Sequence, residues 1–78
     1  MYIVVDTCDR ETGLYKAVTL ESAKKYIKDK IDELINLYPN CDHGYYDSDM
    51  SAWFNGPHFN YDFWVFKIDD LPYIKDIE

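Results

Sequence analysis

Cations are scarce in this chain: 8 Lys and Arg stand against 15 Asp and Glu, a net charge of −7. A surface that grips nucleic acid gathers Lys and Arg on one face, so direct nucleic-acid binding is disfavoured. The same sign repels an anionic membrane surface. Only three glycines occur, none adjacent to another, which leaves no glycine-rich loop to cradle a phosphate. Cysteine is limited to Cys8 and Cys41. With no basic leader and cleavage site ahead of them, they read as free thiols in a reducing cytoplasm rather than as a disulfide framework. No apolar run approaches the ~20 residues that cross a bilayer.

Apolar residues are plentiful, at 47% with 18% aromatic, too rich for a disordered chain. The 78 residues form one domain, 1–78. A core this small consumes most of its apolar side chains and leaves little for a deep substrate pocket. The chain therefore reads as a binding module and not as an enzyme, with no cofactor.

Residues 2–7 are β-branched and aromatic and predict a strand. Residues 8–13 form a polar turn closed by Gly13, and residues 14–18 predict a returning strand. From 20 to 37 the apolar residues Leu20, Ala23, Ile27, Ile31 and Leu34 recur in steps of three and four, and Tyr38 extends the stripe. That is an amphipathic helix, capped by Thr19, charged favourably at Glu21 and stopped by Pro39. Glu21 and Lys25 have the spacing of a helical ion pair. Residues 40–60 are irregular, with a short strand predicted at 52–54 and a turn at Asn55-Gly56-Pro57. Residues 61–69 predict a strong strand. It is apolar on both sides, with Trp64 and Phe66 on one and Phe63 and Val65 on the other, so it is expected to be covered on both faces. Pro72 restricts residues 71–77 to an edge strand or an irregular end. The fold class is α+β: an antiparallel sheet of three to four strands with one amphipathic helix packed on one face, in the order ββαβ or ββαββ.

Charge and rings are unevenly spread. No Lys or Arg lies between Lys30 and Lys67, while Asp32, Glu33, Asp42, Asp47, Asp49 and Asp62 fall there. Nine aromatic residues crowd positions 45–66, more than the core of so small a domain needs. Exposed rings beside carboxylates make a protein-binding surface. The candidate partner-binding residues are Asp42, Asp47, Asp49 and Asp62 for charge, with Tyr45, Tyr46 and Trp53 as apolar anchors.

Other candidate chemistry is weaker. Cys8, Cys41, His43 and His58 have zinc-site composition, but Cys41-Asp42-His43 is spaced too tightly for a finger, and no metal is expected. Asp47, Asp49 and Ser51 begin like a calcium loop, which then fails at Ala52 and His58. Cys41 with a histidine lacks an orienting third group. Asp69 and Asp70 are predicted to diverge across a strand end.

In size, charge and architecture the chain resembles the small acidic proteins that bacteriophages encode against host defence, including anti-CRISPR and anti-restriction inhibitors. That likeness implies a protein inhibiting a larger, nucleic-acid-handling partner by offering acids to a basic protein surface, as a DNA mimic does, in the cytoplasm of a bacterial host. Two alternatives are a self-associating structural domain, dimerising through its surplus rings, and a small-molecule or nucleotide-signal binding protein that stacks bases on them.

Overall fold

The computed structural model describes residues 1–9, 11–45 and 51–70. Strands β1 (Tyr2–Cys8) and β2 (Glu11–Ala17) form a hairpin, followed by helix α1 (Leu20–Leu37). Strands β3 (Asp42–Tyr45), β4 (Ser51–Asn55) and β5 (Asn60–Lys67) come next, and Ile68–Asp70 closes the described chain as a 3-10 turn. The strands make one antiparallel sheet in the order β2-β1-β5-β4-β3. The fold is α+β, as expected, with one helix on one face of the sheet. It has five strands where three to four were expected. The addition is β3, whose sequence Asp-His-Gly-Tyr carries no β-branched residue and holds its place by pairing with β4.

Local chemistry accounts for most of the elements. Cys8 pairs with Glu11, so the hairpin turns on two residues and is tighter than the six-residue turn expected. Asp9 takes the left-handed conformation there, at φ 55°, which a short polar side chain tolerates. Thr19 caps α1 by accepting the Ser22 N–H at 3.1 Å. Tyr38, ahead of Pro39, leaves the helical region and donates its N–H to the Leu34 carbonyl at 2.8 Å. Lys25 pairs with Asp29 rather than with Glu21. Both carboxylates lie one helical turn away, and the pair with Asp29 is the one formed.

The core lies between α1 and the sheet. Ala23, Ile27, Ile31 and Leu34 from the helix meet Val4, Ala52, Phe54, Phe63 and Val65 from the strands. These strand residues share one face by their register: Val4 opposes Val65, and Phe63 opposes Ala52. β5 sits between β1 and β4, and its two faces differ. Phe63 is fully buried under the helix, whereas Phe66 on the other side is 42% exposed. The strand is thus covered on one face by the described elements, not on both. Asp69 and Asp70 occupy the 3-10 turn rather than a strand end. Residues 71–77, for which an edge strand or irregular end was expected, lie outside the described residues.

Candidate functional site

Two surfaces of the domain stand out, one on each side of the sheet. The first is the sheet face opposite α1. Alternation places Ile3 and Val5 of β1, Leu14 of β2, Trp53 of β4, and Trp64 and Phe66 of β5 on it. Leu14, Val5 and Trp64 form one cross-strand row, and Lys16, Ile3 and Phe66 the next. Leu14 is 69% exposed. Among the described residues no element covers this face. Trp53 stands beside Gly44, where an added Cβ would come within 2.9 Å of the indole, so the absence of a side chain at 44 lets the ring lie flat along β3.

Three of the predicted partner-binding residues meet here. Asp62 is the cross-strand neighbour of Trp53, and Asp42 lies on the same face two residues before Gly44 in β3. Tyr45 does not join them. Its partner across the ladder is the buried Ala52, so it faces the helix side. There, with His43, Lys24, Lys28 and Asp32, it lines a shallow cleft of about 360 Å³. Tyr46, Asp47 and Asp49 lie outside the described residues, as does most of the calcium-like stretch. Sequence reasoning missed Leu14, Val5, Ile3, Trp64 and Phe66 as surface residues. The period-two alternation in β1 and β5 contains them, but it does not say which face a helix will cover.

The second surface is a groove of about 570 Å³ between α1 and the far end of the β1–β2 hairpin, more room than composition suggested. Tyr15, Tyr38, Phe59 and Tyr61 wall it, and Asp6, Cys8, Glu11, Lys30 and Glu33 supply its polar groups. The Tyr26 hydroxyl donates to Asp6 Oδ2 at 3.1 Å, and the Tyr15 ring packs on Tyr26 with centroids 4.8 Å apart. Burial, the Tyr15 hydroxyl and the Asp6 carboxylate together push the Tyr26 phenol far above its ordinary value. Burial, and a hydrogen bond with Cys8, raise Tyr61 as well.

The remaining candidates stay apart. Cys8 ends β1 in the groove, and Cys41 precedes β3; both are free and half-buried. His43 and His58 are exposed. Among the described residues no three His, Cys, Asp or Glu side chains converge on a metal position, and no helix is long and apolar enough to cross a membrane.

Charge is partitioned between the layers. Within α1 four lysines and four carboxylates cancel, three pairs of them in contact: Lys25–Asp29, Lys28–Asp32 and Lys30–Glu33. The net −7 therefore rests on the residues outside the helix. Comparison of the chain with protein-family models, with curated proteins and with solved structures finds no match.

Proposed function

We propose that this chain is a small acidic binding protein that inhibits a larger partner, and that it docks through the open face of its sheet. The observation that carries the reading is that face itself: two half-buried tryptophans with the exposed Phe66 and Leu14, left uncovered by the described elements, beside Asp42 and Asp62. Large rings ringed by polar groups are the composition of interface hot spots. The helix on the opposite side is neutral, so the field of the net negative charge comes from the residues outside it. Such a field speeds encounter with a basic surface and fixes orientation more than it adds affinity. In this reading the partner is a nucleic-acid-handling protein whose basic groove the carboxylates occupy in place of phosphates, the mode of anti-CRISPR and anti-restriction inhibitors.

The test is capture of partners from a bacterial lysate by the wild-type chain and by two variants of equal fold, Phe66→Thr with Asp62→Asn, and Lys24→Ser on the helix side. The expected result is a basic protein held by wild type and Lys24→Ser, lost by the open-face variant and released by salt, which screens exposed charges beyond ~8 Å at physiological strength. A partner retained equally by all three, or indifferent to salt, refutes the reading. The exposure of Leu14 and Phe66 also favours a second reading, self-association across this face. Light scattering over a concentration series separates the two: a dimer abolished by Phe66→Thr, with no captured partner, selects the second.

A further inference from the structure

The groove on the helix side has a chemistry of its own, independent of the open face. We propose that it is a binding site for an organic cation, an alkylammonium or guanidinium group, taken between the Asp6 carboxylate and the aromatic walls.

Charge comes first. Among the described residues, Asp6, Glu11 and Glu33 line the groove against a single cation, Lys30, a balance that disfavours phosphates and carboxylates as ligands. The walls come next. Tyr38 meets Phe59 edge-on at 5.2 Å, Phe59 meets Tyr61 edge-on at 5.6 Å, and Tyr61 stacks on Phe63 at 5.7 Å. Tyr38, Phe59 and Tyr61 of this run are only half-buried, and the π-face of such a ring attracts cations through its quadrupole. Tyr15 closes the opposite side from β2.

The carboxylate is held ready. Tyr26 donates to Asp6 Oδ2 at 3.1 Å and fixes its orientation. Directly across the ladder stands Gly13. A methyl group there would lie 2.4 Å from Asp6 Oδ1 and 2.7 Å from the Tyr15 hydroxyl, so only glycine lets the carboxylate and the Tyr15 ring pack over this position. The backbone of Gly13 has no left-handed φ to explain its presence; its lack of a side chain is what admits Asp6 and Tyr15 at this spot.

The chain already places one ammonium against this system. Lys30 Nζ lies 6.0 Å from the centroid of the Tyr26 ring and 3.8 Å from Glu33 Oε2. It sits at the rim and competes weakly for the same rings and acids. A metal ion is the poorer occupant, since the walls are rings rather than oxygen donors. The shared chemistry has two sources, a small-molecule ammonium such as choline or a cationic side chain presented by another protein.

Titration of the isotope-labelled full chain, read by amide NMR, decides the matter. The probes are choline, the neutral analogue of choline in which carbon replaces nitrogen, and a capped arginine. Saturable shifts at the Gly13 and Cys8 amides are expected with a cation, and about tenfold weaker binding of the neutral analogue. Asp6→Asn keeps an acceptor for Tyr26 and should weaken binding several-fold. Lys30→Gln should strengthen it, the opposite of what an anionic ligand would require. Binding by choline alone assigns a small-molecule ammonium, and binding by the capped arginine assigns a side chain. Equal binding of the neutral analogue, absence of saturation with both cations, or weakening by Lys30→Gln overturns the proposal. Lys30→Gln alters a half-exposed helix residue and leaves the core intact, so it remains informative if Asp6→Asn fails to fold.

Discussion

Phe63 and Phe66 are the same residue three places apart on β5, and they report on opposite faces of the sheet. Phe63 is fully buried, under α1, stacked on Tyr61 and opposite Ala52. Replacing it with alanine removes a buried ring from a closed site and leaves a cavity, at about 3–5 kcal/mol. A domain of 78 residues is stable by about 4–12 kcal/mol in all. Phe63→Ala therefore removes a large share of the total and can leave the chain unfolded. Phe66 is 42% exposed; its loss opens no enclosed cavity and costs about 1 kcal/mol. Urea unfolding followed by far-ultraviolet circular dichroism measures both. With a slope of about 1 kcal/mol per molar for a domain this small, the midpoint falls by about 3 M or more in the first variant and about 1 M in the second. Phe63→Leu, which keeps most of the volume, supplies a measurable intermediate. A one-residue slip of β5 would exchange the two faces. Equal losses at the two positions, or a larger loss at Phe66, would refute the register and the one-sided packing together.

Two further predictions concern the helix and the groove. Thr19→Ala deletes the acceptor for the Ser22 N–H and should lower stability by about 1 kcal/mol, with Thr19→Ser or Thr19→Asp restoring it in the same urea measurement. The second is a pH effect, with its sign set by Tyr26. Folding raises this phenol above its ordinary 10.0 through burial and its neighbours Tyr15 and Asp6, so the folded state binds the proton more tightly than the unfolded chain. That contribution is complete below about pH 10, the unfolded value. It is lost as pH rises towards the folded value. Thermal melts from pH 8 to 11 should show stability falling on the alkaline side, and Tyr26→Phe should flatten that limb; an unchanged limb in the variant would contradict it.

How much of this was legible in the sequence differs by element. The helix was read almost to the residue, because an apolar stripe, a threonine cap and a proline stop act within one segment. β5 and the β1–β2 hairpin were legible for a similar reason. β3 was not, because its four residues have little strand preference and depend on β4. The partner of Lys25 was misread because two carboxylates share the same spacing, and rotamers rather than spacing choose between them. The exposed face was half-legible. Trp64 and Phe66 alternate with Phe63 and Val65, but both sets are apolar, and only tertiary packing decides which the helix covers. Of the predicted patch, Asp42, Trp53 and Asp62 fall together because alternation and register align them, while Tyr45, at odd parity in β3, turns to the other side. The groove could not be read at all, since it joins Asp6, Gly13, Lys30 and Tyr61, residues scattered along the whole described chain.

The strand order has a bearing on how the molecule is assembled in time. β1 pairs with β5 along its whole length, from Tyr2 against Lys67 to Cys8 against Tyr61. On either side of that seam lie segments that close locally: β1 with β2 and the helix, and β4 with its neighbours β3 and β5. Joining distant strands pays a loop-closure entropy before any contact rewards it, which slows folding relative to local pairing. During synthesis the first hairpin and the helix emerge with one edge of β1 bare, and they keep it bare until β5 is made. The domain is thus latched last along its middle, and a nascent chain cut short anywhere before β5 exposes the backbone edge most prone to pair with a stranger.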